Sequence, residues 1–137
     1  MMLKSALIFL SLVYVAAGAA AQARHRIVVE LDAPGTAAFG TTLNNVENLK
    51  KAFGTDPVEI EIVCHGGGID LLLSHENKLS SRIQKLQKSG VKFAACNNTL
   101  KGRNIGKDRI FSFVSVVDSG TAEVIRKQEA GWSYLHR

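Results

Sequence analysis

Two cysteines and two prolines in 137 residues leave little room for a disulfide-stapled or proline-rich scaffold. Twelve glycines without a repeating period exclude a collagen-like chain, and 46% apolar residues exclude a disordered one. Charge of one sign is also scarce. Seventeen bases against twelve acids give a formal charge of +5, too mild to imply nucleic-acid binding. Walker and dinucleotide glycine patterns are missing, as are a serine nucleophile elbow, a C-x-x-C pair and an H-x-x-x-H pair. The sequence therefore implies neither a cofactor nor a metal. A chain of this length suits one compact domain.

The longest apolar run lies at the start. After the single base Lys4, residues Ala6 to Ala20 are almost entirely apolar, and Ala21-Gln22-Ala23 follows with small residues at its first and third places. The run covers 15 residues, whereas a membrane-spanning helix needs about 20. Residues 1–23 read as a signal peptide cleaved after Ala23, and residues 24–137 as a single mature domain. That domain is expected in the periplasm or the medium, free of the membrane once the leader is cut.

Beyond the leader, short apolar runs alternate with segments of helical period. Ile27 to Leu31 predicts a first strand, ended by the turn signal Asp32-Ala33-Pro34-Gly35. Thr41 or Thr42 can cap a helix whose buried stripe is Leu43, Val46, Leu49 and Phe53, with Gly54 behind it. Val58 to Cys64 predicts a second strand, broken by Gly66-Gly67-Gly68. A helix from about Leu79 to Lys88, a third strand Val91 to Ala95 and a brief helix from Asn97 to Lys101 come next. Ile110 to Val117 reads as a fourth strand, Ser119 caps a helix reaching Gln128, and Trp132 to Leu135 is a short fifth strand. Strands apolar on both faces and alternating with helices predict an α/β three-layer sandwich, a mostly parallel five-stranded sheet of flavodoxin-like type. Binding sites in such sheets lie beyond the carboxyl ends of the strands. Asp32, the Cys64 to Gly68 run, Cys96 and Asp118-Ser119-Gly120 all fall at that edge.

Cys96 is the sharpest candidate there. It sits where a strand meets a helix, and unpaired amides at such a junction favour a thiolate. The stretch from Lys78 to Arg109 carries nine bases, and Lys101, Arg103, Lys107 or Arg109 beside the sulfur would favour its ionised form as well. A second reading stays open, because free cysteine is among the most buried residue types and Cys96 also suits plain packing. His65-Gly66-Gly67-Gly68 offers amides with no side chains in the way, a shape for an anion and equally the chemistry of a tight turn. In the common 2-1-3-4-5 strand order, Cys64 and Cys96 stand two strand spacings of about 4.8 Å apart, beyond the Cα limit of roughly 7 Å for a bridge, so both thiols are expected free.

The run Gly90-Val91-Lys92-Phe93-Ala94-Ala95-Cys96-Asn97-Asn98-Thr99-Leu100-Lys101-Gly102-Arg103-Asn104-Ile105 resembles the cysteine loop of the DsrE/DsrF-like family. Leu43 to Leu49, Val58 to Leu72 and Ser119 to Tyr134 are similar to that family's first helix, second strand with glycine loop, and last helix with strand. The likeness spans nearly the whole mature chain. It implies a homo-oligomer, often a trimer or hexamer. In the sulfur-relay members it also implies a cysteine that carries persulfide sulfur between donor and acceptor proteins. Cys96 occupies the matching position, with His65, Gly66, Gly67, Gly68, Asn97, Asn98 and Arg103 as the expected binding residues around it. The opposing expectation is a noncatalytic module that binds a small ligand or assembles into oligomers, its cysteine merely structural.

Overall fold

The computed structural model describes residue 23, residues 25–75 and residues 77–137; of the leader read over residues 1–23, residues 1–22 lie outside the described residues. Five strands form one sheet: β1 (His25–Leu31), β2 (Val58–Cys64), β3 (Lys92–Cys96), β4 (Ser115–Val117) and β5 (Ser133–His136). Every strand pairing is parallel. Four helices connect them: α1 (Thr36–Phe53), α2 (Ser80–Lys88), α3 (Asn97–Gly102) and α4 (Gly120–Glu129), with a 3₁₀ turn at Gly66–Leu72.

The strand order is β4-β3-β2-β1-β5, not the 2-1-3-4-5 expected from the commonest fold of this class. From β1 to β4 the chain steps one way across the sheet, and β5 then returns to the far side of β1. Right-handed crossovers place helices on one face while the chain steps one way, and on the other face when it reverses. The two apolar clusters follow that rule. Phe39, Leu43 and Val46 of α1, Ile83 and Leu86 of α2 and Leu100 of α3 pack with Ile60, Ile62, Cys64 and Phe93 on one face. On the other, α4 alone places Val124 beside Val28, Val63, Ala94 and Trp132. Connections leaving β3 and β4 therefore diverge to opposite faces, which opens the sheet edge between them.

Three local expectations shift for identifiable reasons. Helix α1 starts at Thr36, well before Thr41, because Phe39 extends the buried stripe one turn toward the N-terminus. Thr42 does not cap it; its hydroxyl donates to the Ala38 carbonyl at 2.9 Å, inside the helix. The expected strand Ile110–Val117 shrinks to Ser115–Val117. Lys107–Arg109 forms a 3₁₀ turn, and Ile110 makes an isolated antiparallel bridge to Leu73. The Phe111 and Phe113 rings stack at 5.2 Å, and Phe113 meets Phe93 edge-on, so this aromatic stretch lids the core rather than extending the ladder. The Val58–Cys64 strand matches its expectation residue for residue, and Ser119 caps α4, its hydroxyl accepting from the Ala122 amide at 3.3 Å.

Candidate functional site at the ends of β1, β2 and β3

Cys96 is the last residue of β3 and the N-cap of α3. Its surroundings are polar although it is 5% exposed. Burial pushes the thiol up, but the Thr99 hydroxyl and the amides of Gly120, Thr99 and Asn98 donate to the sulfur and together bring its pKa below the ordinary thiol value. Thr99 has a second task. Its oxygen accepts the Gly66 amide at 3.0 Å, tying the glycine loop to the start of α3.

The glycines of that loop are required by close packing. Gly66 has φ +50°, and a Cβ on Gly67 would stand 2.8 Å from Pro34. A Cβ on Gly68 would collide with the Leu31 carbonyl. The Gly68 amide donates to the Asp32 and His65 carbonyls at 3.1 and 2.9 Å. With the Gly66 and Gly68 amides so committed, the loop is a tight turn in which two of the three glycine amides are not open to an anion. Arg103, expected near the sulfur, instead pairs with Asp70 at 2.8 Å, and its other terminal nitrogen donates to the Gly66 carbonyl at 3.4 Å. Asn97 and Asn98 begin α3, Asn98 contributing its amide to the sulfur.

His65 belongs to the site for a different reason. Its backbone is extended, and its amide donates to the Leu31 carbonyl at 3.1 Å, prolonging the β1–β2 ladder. Its Nε2 donates to Glu30 Oε1 at 2.7 Å, a direction set by the carboxylate's having no proton to give. The other Glu30 oxygen accepts the Tyr134 hydroxyl. The Glu30 carboxylate beside it pushes the Tyr134 phenol up to about 12. Gly120 was placed at the strand-end edge without a role, and Glu30, Tyr134 and Thr99 were not among the sequence candidates. Thr99 alone had a local signal, lying three residues after a cysteine that opens a helix.

Cys64 is fully buried with the apolar cluster beneath α1 and α2, and burial pushes its thiol far up. Both thiols are free, as expected, but for another reason than the one given by the assumed strand order. Strands β2 and β3 are neighbours, with Cys64 opposite Ala95. Alternation along β3 turns Cys96 to the face opposite Cys64, so the thiols diverge across the sheet. Among the described residues, no cluster of three or more His, Cys, Asp or Glu side chains could hold a metal, and no helix is long and apolar enough to cross a membrane.

A parallel five-stranded α/β sandwich with a hydrogen-bonded cysteine at the opening between β3 and β4 defines the class of protein. The DsrE/DsrF-like family model matches residues 13–136, and the chain belongs to that family. Among solved structures, MTH1491 from Methanobacterium thermoautotrophicum, described as a protein of unknown function, is 30% identical with a TM-score of 0.77 over 82% of this chain and 99% of its own. The ychN protein from E. coli gives 12% identity and a TM-score of 0.64, covering 82% of this chain and 98% of that one. BT1422 from Bacteroides thetaiotaomicron, a conserved protein of unknown function, gives 13% and 0.62 over 82% and 94%. These last two show the shared fold. A comparison with curated proteins returned no match.

Proposed function

We propose that this chain is an exported sulfur carrier in which Cys96 holds sulfane sulfur as a persulfide. The observation that carries the reading is the set of donors around Cys96, the Thr99 hydroxyl and the amides of Gly120, Thr99 and Asn98, which favour an anionic sulfur. Membership of the DsrE/DsrF-like family supports it, since the fold is of sulfur-relay type. In the step proposed, the Cys96 thiolate attacks the outer sulfur of a donor persulfide R–S–SH. The donor S–S bond breaks, a new one forms on Cys96, and R–S⁻ departs, so no outside oxidant or reductant is needed. Release to an acceptor thiol is the same exchange in reverse.

Export rests on the apolar run after Lys4, and assembly into a trimer or hexamer on the family resemblance; light scattering of the mature chain tests the latter. Sulfur carriage is tested by incubating the mature protein with polysulfide or thiosulfate and recording intact mass. A gain of about 32 Da is expected in the parent and not in Cys96→Ser. No adduct on the parent, or an undiminished adduct in Cys96→Ser, overturns the reading and leaves a noncatalytic ligand-binding or assembly module.

A further inference from the structure

We propose that His65 is the proton donor to the thiolate that departs when sulfur arrives at Cys96, and that Glu30 and Tyr134 are the positioning residues that hold it. The inference rests on the sulfur-carrier reading and deepens it. Cys64 lies opposite Ala95, so the next residues of the two chains, His65 and Cys96, follow in register at the ends of β2 and β3. Neighbouring strands run about 4.8 Å apart. Val28, Val63 and Ala94 face α4, and alternation brings Glu30, His65 and Cys96 to that same face. Glu30 lies opposite Val63, two residues short of the level of His65, and Tyr134 lies opposite Val28 on β5, two residues short again, so the four side chains run diagonally across four consecutive strands.

Gly120 shows how closely His65 and Cys96 are drawn together. A Cβ placed there would lie 3.0 Å from the His65 Cβ and 3.2 Å from both the His65 Cδ2 and the Cys96 Cβ. Cys96 already receives its donors, so His65 is not needed to ionise it. What the transfer lacks is a proton for the leaving group. With Nε2 engaged by Glu30 at 2.7 Å and Cδ2 turned to Gly120, the ring's other nitrogen, Nδ1, is left on the opposite edge and is the one that can give a proton to a thiolate departing from Cys96. The Glu30 carboxylate offsets the charge while the ring holds both protons. The step then balances: Cys96–S⁻ and R–S–SH with imidazolium yield Cys96–S–SH, R–SH and neutral imidazole, which regains its proton from water. Tyr134 fixes the far oxygen of Glu30. The other charged groups nearby are held by one another, Asp32 with His136 at 3.2 Å and Asp118 with Arg126 at 2.8 Å.

The test measures the rate of Cys96 loading from glutathione persulfide against pH, in the parent, His65→Gln, Glu30→Gln and Tyr134→Phe. Alkylation of Cys96 by iodoacetamide, whose iodide leaves without a proton, is run in parallel. His65→Gln is expected to load at least about tenfold more slowly, and the fall in loading rate that the parent shows with rising pH should be absent from it. Its alkylation rate should stay near the parent's, and an aromatic persulfide with a more acidic leaving thiol should restore its loading. Glu30→Gln is expected to lose the same pH limb, which a merely structural role would not remove. Equal loading by His65→Gln and the parent, or an equal deficit in alkylation, overturns the proposal while sulfur carriage stands. Failure of the parent itself to gain sulfur overturns both.

Discussion

His65 and Cys96 lean on the same small residue: the ring and β carbon of one and the β carbon of the other crowd the space above the Gly120 Cα, and the Gly120 amide donates to the Cys96 sulfur. Glycine at the first position of α4 thus sets both the spacing of the two side chains and one of the thiolate's donors.

Gly120→Ala should accordingly disturb the site more than the fold. Its Cβ would stand 3.0 to 3.2 Å from both neighbours, forcing a shift of a few tenths of an ångström. The expected cost in stability is about 1–3 kcal/mol, and Cys96 alkylation should slow at neutral pH. Chemical denaturation paired with iodoacetamide kinetics measures both; an unchanged alkylation rate would show that the spacing does not matter.

Thr99→Val removes a donor to the sulfur and the acceptor of the Gly66 amide. The Cys96 pKa should rise toward the ordinary thiol value, seen as a shift of the thiolate absorbance titration to higher pH. The sign for stability follows. A thiol whose pKa is depressed by folding contributes stability that is present above its unfolded pKa and lost as pH falls through the folded one. The parent should therefore exceed Thr99→Val by more at alkaline pH than at acid pH. Loss of the exposed Gly66 amide's partner adds a pH-independent penalty of about 0.5–1.5 kcal/mol.

Tyr134 offers a spectroscopic reporter of Glu30. Its phenol, pushed up to about 12, should titrate near there in the parent and return toward the usual phenol range in Glu30→Gln. Because its folded pKa is raised, the stability it contributes is intact below the unfolded value of about 10 and disappears as pH climbs through the folded value. Ultraviolet titration of the two proteins reads the difference directly.

Within the glycine loop two substitutions should rank by what each added carbon meets. Gly68→Ala drives a Cβ into the Leu31 carbonyl and is expected to cost more than about 3 kcal/mol or to abolish folding. Gly66→Ala meets only the Asp32 carbonyl at 3.4 Å and bears the cost of a left-handed backbone, about 1–2 kcal/mol. Equal melting temperatures for the two would refute the close-approach argument.

Thiol counting distinguishes the cysteines. In the native protein only Cys96 should react with an aromatic disulfide reagent, Cys64 becoming available on denaturation, because it is sealed among Ile60, Ile62 and Phe93. Mild oxidation should yield no internal bridge, the two sulfurs facing opposite sides of the sheet.

Much of this architecture was legible in the chain. Apolar runs such as Val58–Cys64 can be buried only on a two-sided sheet, and Ser119 caps α4 by chemistry that acts over three residues. Strand order was not legible, because the length of a crossover does not say which neighbour it reaches. Ile110–Val114 misled for a related reason, since alternating aromatics serve a lid as well as a ladder. Cys96 declared itself through its position between strand and helix. Glu30 and Tyr134 gave no sign, as they are 104 residues apart and meet only through the pairing of β1 with β5.

That pairing has a consequence for the order in which the molecule can become competent. Cys96 and its donors are complete once α4 has docked, whereas the partner that secures Glu30 arrives on β5, which follows α4 in the chain and leaves the ribosome after it. A chain truncated before Ser133 would display a finished thiolate nest beside an unanchored acid–imidazole pair, so the reactive sulfur exists before the machinery proposed to govern it.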